Sequence, residues 1–432
     1  MIRRIVRGLD SRLRLAALMR HSLDHIFPDH WSFMLGEIAL YCFIVLVITG
    51  VFLMMFFNAS AAAVTYHGPY KALEGVSMSA AYRSVLDLSF KVRLGLLMRQ
   101  IHHWAALVFI AAIVAHMFRV FFTAAYRRPR DINWVIGVTL LILAMANGFF
   151  GYSVPDDVLS GTGVRVAYSI VLSIPVIGPW LAFIVFGGRV PTEVMIPRMY
   201  GLHVFVLPAI ILALLISHLA IIWRQLHTNY PGRGRSDRTI VGSRLWPTYA
   251  AKAIGLFFLV FAVLAALGGS VEINPVWIYG PYKPADALPA AQPDWYLGWA
   301  EGGLRLFPSF NLHIWNRLVP EVFFPGVLLP LLLFALLYVY PFIDRWVTGD
   351  HEQHHVLLLP YQQPLRTALG CAALAFMSVI FVAGSDDVIA VVTGRSVVAI
   401  RTALRVAVFI APVVAALVAW VTCKLLNIRH AD

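Results

Sequence analysis

Long apolar runs, separated by short polar or basic connections, dominate this chain. Eight of them, at 36–57, 101–125, 133–153, 199–222, 248–268, 321–342, 366–384 and 398–422, are long enough to cross a bilayer as helices. A hydrocarbon core of about 30 Å takes roughly 20 apolar residues in a helix. A ninth run, 166–186, has the hydropathy but is broken by Pro175 and Pro179, and its IPVIGP stretch reads as a turn. The pattern there predicts a helical hairpin over 158–188 lying at the membrane interface. Eight crossings leave both termini on one side.

Composition supports the same class. Hydrophobic residues make up 60% of the 432, charged residues 13%, and the mean hydropathy is +0.77, far from a soluble domain. An all-α integral membrane protein is expected. The net charge of +12 would suit a nucleic-acid partner, but its distribution argues otherwise. Arg3, Arg4, Arg7, Arg12, Arg14 and Arg20 precede span one, and Arg127, Arg128 and Arg130 sit between spans two and three. Arg224, Arg233, Arg235, Arg238 and Arg244 sit between spans four and five, and Lys424 and Arg429 follow span eight. All fall on one side of the eight-span arrangement, which the positive-inside rule makes the cytoplasm. The first 30 residues hold no signal-peptide core, so insertion is expected to rest on span one. Cys42, Cys371 and Cys423 lie far apart in apolar spans with no C-x-x-C among them, and read as packing residues.

Histidines change the picture. Span two carries His102 and His116, 14 steps apart, within about 40° of one helical face and about 21 Å along it. His103 lies about 140° from His116 and is the poorer partner. Span four carries His203 and His218, 15 steps apart, within about 60° of one face. Each helix thus offers one imidazole near each membrane surface. Facing each other, the two would form two stacked bis-His sites, the arrangement a low-spin haem takes. A lone intramembrane His can simply hydrogen-bond a neighbouring helix; two matched pairs point to a functional site.

Glycines and arginines fit the same frame. Gly36 and Gly50 in span one are 14 apart, as are Gly137 and Gly151 in span three, where ordinary small-residue packing repeats every four. A porphyrin edge needs neighbours without side chains at its level, so a four-helix bundle sized for two haems is expected. Arg99, Arg119 and Arg198 bracket the histidines and could pair with propionates, although Arg99 and Arg119, about 30 Å apart, could equally mark the membrane edges.

At this point the chain resembles a known family, the cytochrome b subunit of the respiratory cytochrome bc1 complex, over nearly its whole length. RQIHHWA with AHMFRV, and RMYGLH with SHLA, match the family's haem-ligand motifs. NWVIGV to GFFGYSVP matches its third span, and GTGVRVAYSIVLSIPVIG its interfacial hairpin beside the quinol site. The family's P-E-W-Y signature stands here as Pro293-Asp294-Trp295-Tyr296. PDWYLGWAEG and HWSFMLGEIALY are most similar to the actinobacterial, menaquinol-oxidising branch.

The resemblance implies a quinol:cytochrome c reductase subunit, active within its complex and coupled to proton translocation. It implies two non-covalent b haems: an outer one on His102 and His203 with Arg99 and Arg198, and an inner one on His116 and His218 with Arg119. It implies partners as well: a Rieske iron–sulfur subunit, a c-type cytochrome, a terminal oxidase supercomplex, membrane lipid and a second copy of the complex. The outer quinol pocket would comprise Tyr152, Gly163, Pro293, Asp294, Trp295 and Tyr296, with Asp294 as proton acceptor and Tyr296 as gate or hydrogen-bond donor. A turn acid solvated in the 271–319 loop is the alternative for Asp294. The organisation implied is a cytoplasmic segment 1–35, a di-haem bundle 36–230, and a C-terminal membrane domain 231–432 in a bacterial cell membrane.

The inner quinone site matches less well. The family has a Lys-Asp pair early in span five, whereas this chain has Lys252 followed by Ala253. His227, nine residues beyond His218, is a candidate, and Asp29 and His30 could supply protons. The chain also stops at NIRHAD where the actinobacterial proteins continue, as a shorter paralogue would. Another di-haem conduit, such as a hydrogenase or formate dehydrogenase membrane subunit, would explain the histidines but not PDWY. A transporter would place its ionisable residues along a pathway, often with broken helices at the midplane.

Overall fold

The computed structural model describes residues 23–286, 288, 291–314 and 317–429, together with residue 12. Arg3, Arg4, Arg7, Arg14 and Arg20, and the final residues 430–432, lie outside the described residues.

Among the described residues, eight helices are long and apolar enough to cross a membrane: Trp31–Met54, Gly95–Phe122, Asp131–Ser153, Met195–Gln225, Leu245–Ser270, Phe324–Thr348, Pro364–Ala383 and Val397–Arg429. They coincide with the eight apolar runs. A bilayer interior offers backbone groups no water, so each crossing segment must satisfy its own donors and acceptors as a helix. Most overrun their apolar core at one or both ends, because the terminal turns reach polar surroundings where charged residues are cheap to accommodate.

The ninth run folds as expected into two short helices, Val158–Leu172 and Gly178–Phe186. Asp157 caps the first: its carboxylate accepts from the Ser160 amide at 2.7 Å while the Ser160 hydroxyl accepts from the Asp157 amide at 3.1 Å. The turn between them is close enough that a Cβ on Gly178 would lie 2.6 Å from the Val171 carbonyl oxygen.

Span one packs on span two, and span three on span four; span five lies against both spans one and two, and span seven against span eight. Cys42 and Val45 of span one, Ile101 and Ala105 of span two, and Val260 and Leu264 of span five share one buried cluster. A second cluster joins Ile110, Leu141 and Ala144 to Tyr296, anchoring the long loop after span five onto spans two and three. That loop carries a short helix, Gly298–Leu306, and a small hairpin pairing Leu312–Ile314 with Arg317–Val319.

Span four is not a uniform helix. Its turn at Leu202–Val206 is widened to π-helical geometry. Such a turn accommodates one extra residue. The 15-step interval from His203 to His218 therefore behaves as 14, and the expected offset of about 60° is corrected to that of span two. Periodicity computed for a regular helix could not reveal this.

Candidate functional site

His102 and His203 meet in the interior with ring centroids 6.1 Å apart and planes at 80°. Two metal–nitrogen bonds of about 2 Å each, plus the depth of the two rings, fill about this distance. Hydrogen bonds fix which nitrogen each ring offers. The Thr49 hydroxyl donates to the Val45 carbonyl at 2.7 Å, so its oxygen is left to accept from His102 Nδ1 at 2.9 Å. His203 Nδ1 donates to the Asn147 carbonyl at 2.9 Å. In both rings Nδ1 carries the proton and Nε2 keeps its lone pair for a ligand, the outer-shell arrangement of metal-binding histidines.

His116 and His218 line a second cavity, of about 450 Å³, further along the same two spans. His116 Nδ1 is buried without a hydrogen-bond partner among the described residues. Each of the four glycines faces one imidazole. A Cβ at Gly36 would lie 3.3 Å from the His116 ring, at Gly50 3.4 Å from His102, and at Gly137 3.7 Å from His218. At Gly151 it would overlap His203, 2.9 Å from both ring nitrogens. The donor set and these cleared flanks fit two bis-His haems.

The arginines divide. Arg99 lines the His102 cavity, donating to the Asn274 carbonyl at 2.9 Å and leaving Nε buried without a hydrogen-bond partner among the described residues. Arg119 lines the His116 cavity, its guanidinium 4.8 Å from the Phe33 ring. Arg198 departs from expectation: it turns away from the His203 cavity and donates to the Phe183 and Ile184 carbonyls at 2.6 and 2.8 Å. These are among the last carbonyls of a hairpin helix, which have no partner within the helix and attract a cation.

The 271–319 loop brings Asp294 into the His102 cavity, and a residue the sequence reading set aside meets it there. His103 Nε2 lies 2.9 and 3.0 Å from the two Asp294 oxygens. The Tyr296 hydroxyl donates to Asp294 Oδ2 at 3.2 Å. Asp294 is thus an interior group rather than a solvated turn acid. Tyr152 and Tyr296 line the same cavity, and Gly163 stands behind Tyr152, where a Cβ would touch that ring at 3.4 Å. Pro293 and Trp295 are outside the lining, Trp295 being partly exposed at the rim. Asp157, held above its usual range by burial, also reaches this cavity.

At the opposite end, His227 lines the His116 cavity, and burial holds its pKa down to about 4. Lys252 does not line it; it stands at the rim and pairs with Asp29 at 2.6 Å, which keeps that carboxyl below its usual range. His30 is turned aside to Ser32, at 2.9 Å. A group missed in the sequence stands in the lining instead. Glu37, bonded to the Tyr249 hydroxyl, also accepts from the Tyr41 hydroxyl at 3.1 Å.

Residues 107–281 match the family model described as cytochrome b(N-terminal)/b6/petB. The chain is 46% identical over 430 residues to the cytochrome bc1 complex cytochrome b subunit of Streptomyces coelicolor, covering 99% of this chain and 79% of that protein. It is 50% identical over 383 residues to the subunit of the same description from Mycobacterium tuberculosis, covering 88% and 70%. Its fold is similar to a solved structure titled hyperthermophilic respiratory Complex III, with TM-score 0.71, 20% identity, and coverage of 96% of this chain and 99% of that one.

Proposed function

The chain belongs to the cytochrome b subunits of the cytochrome bc1 complex, and from that premise we propose that it oxidises menaquinol near the outer surface and carries electrons through two bis-His b haems to an inner quinone site. The observation that carries this reading is the His102–His203 pair, 6.1 Å apart with both Nδ1 atoms engaged and neither Nε2 atom hydrogen-bonded among the described residues. In this reading both termini face the cytoplasm of a bacterial cell, residues 36–230 hold both haems, and residues 231–432 supply the quinol-pocket wall through their 271–319 loop.

His102 and His203 would hold the outer haem, and His116 and His218 the inner one. Bound there, the haems supply one-electron transfer across the membrane. Arg99 and Arg119, each with a buried Nε that has no hydrogen-bond partner among the described residues, are suited to their propionates. Quinol gives up two electrons and two protons. Asp294 accepts one of those protons, His103 and Tyr296 hold its carboxylate in place, and Tyr152 walls the pocket. A Rieske iron–sulfur partner would take the first electron toward a c-type cytochrome, while the second would cross inward. Protons released outside and taken up inside build the protonmotive force.

The test is a haem count and reduced-minus-oxidised spectrum of the complex extracted in mild detergent. Two b haems per chain are expected, with one lost on His102→Ala or His203→Ala and the other on His116→Ala or His218→Ala. A colourless chain, or one that keeps both haems in these variants, overturns the reading.

A further inference from the structure

We propose that Glu37 is the catalytic proton donor of the inner quinone site, resupplied through Tyr249 from the Asp29–Lys252 rim. The inference rests on the reading that quinone binds at the His227 end of the His116 cavity, beside the space that the inner haem would fill. Glu37 is the one carboxylate among the described residues lining that cavity. It sits one residue beyond Gly36, whose Cα faces the His116 ring, so it stands beside the point where electrons would arrive.

Its two oxygens are held by two phenols, Tyr249 from span five on one and Tyr41 from span one on the other. No cation appears among its hydrogen-bond or ion-pair partners in the described residues. A carboxyl kept in an apolar span without a counter-charge is costly, and a purely structural role would be met by a neutral residue. Tyr249 also lines the cavity and lies three residues before Lys252 on the same helical side. Lys252 and Asp29 are 44% and 45% exposed and pair near the starts of spans five and one at the inner face, the side from which protons would enter. Tyr249 bonds to Glu37 in the cavity lining, and the Asp29–Lys252 pair stands about one helical turn from Tyr249, so polar groups mark a route from the rim to the cavity. His227, held neutral by burial, is suited to hydrogen-bonding a quinone oxygen rather than to storing a proton.

The chemistry balances. Reduction of the inner quinone takes two protons and two electrons, one electron from each of two quinols oxidised at the outer site. Each proton leaves the Glu37 carboxyl as a new O–H bond forms on a quinone oxygen. Tyr249 then passes a proton to Glu37 and recovers one from water at the rim.

The experiment uses the assembled complex in an Asp294→Asn background, which closes the outer route. Anaerobically reduced haems are mixed with menadione, and reoxidation of the inner haem is followed by stopped-flow absorbance. Glu37→Gln should slow reoxidation at least about tenfold with haem content and spectrum unchanged, and Glu37→Asp should recover most of the rate. Tyr249→Phe should fall between them. Infrared difference spectra on reduction should show a carboxyl band that Glu37→Gln abolishes. Unchanged rate and infrared spectrum in Glu37→Gln would overturn the assignment while leaving the inner site standing. A wild-type inner haem that menadione never reoxidises would overturn the inner-site reading, and this inference with it. Should Glu37→Gln fail to assemble, a Glu37→Asp complex lacking the carboxyl band would overturn the assignment.

Discussion

A methyl group on Gly151 should empty the His102–His203 site and leave its neighbour intact. The added Cβ would stand 2.9 Å from both ring nitrogens of His203, and closer still to Cε1. Ordinary carbon contacts begin near about 3.5 Å, so the ring would have to retreat by about 0.6 Å or more. It has nowhere to go without loss. Its Nδ1 is tied to the Asn147 carbonyl at 2.9 Å, and the facing imidazole is already at 6.1 Å. Metal–ligand distances tolerate only about 0.2 Å, so the displaced nitrogen ceases to be a ligand. Gly137 provides the control, because a Cβ there meets His218 at an ordinary 3.7 Å, and Gly36 and Gly50 fall between at 3.3 and 3.4 Å. The assay is a haem count with a redox titration of the extracted complex. Gly151→Ala should hold about one b haem and Gly137→Ala two, with Gly36→Ala and Gly50→Ala keeping both at shifted potentials. Two haems at unchanged potentials in Gly151→Ala would refute the reasoning.

Other perturbations reach different parts of the molecule. Asp294→Asn should lower quinol-dependent haem reduction by about 10²-fold or more, with His103→Ala causing a smaller loss and haem content preserved in both; equal rates to wild type would remove Asp294 from the proton path. Thr49→Val deletes the acceptor of His102 Nδ1, and should weaken retention of that haem by roughly 10–100-fold against a haem-scavenging apoprotein. Asp156 lies outside the spans, with its pKa raised to about 6 by burial. Its folded form therefore binds the proton more tightly than the unfolded one. Stability should fall as pH rises from about 4 to about 6 and then level, by at most about 3 kcal/mol. Thermal inactivation of Asp156→Asn should lose that portion of the pH dependence; the positive φ of 59° at this position is one Asn tolerates.

Much of the fold was readable because the bilayer restricts the options: an apolar run of sufficient length has to be a helix, and Pro175 with Pro179 marked the one run that folds back. The four histidines and four glycines were readable for a similar reason, since each spacing lies within one helix. Partnerships across spans were not. His103 meets Asp294 across 191 residues and Glu37 meets Tyr249 across 212, distances at which periodicity carries no information. The doubled histidine in RQIHHWA was the available signal for the first, because neighbours on a helix point about 100° apart and the second ring needed a partner of its own. Arg198 misled because the free carbonyls at a helix end, absent from any motif, lie closer than the cavity.

The widened turn at Leu202–Val206 gives span four something span two lacks, a spare residue. Deleting one position from that turn, Val204 for instance, should let the helix tighten to regular winding while His203 and His218 stay in line. The same deletion between His102 and His116 has no slack to draw on and would swing one imidazole a quarter-turn or more out of place. The two ligand-bearing helices, alike in what they hold, therefore differ sharply in how they absorb a change of length.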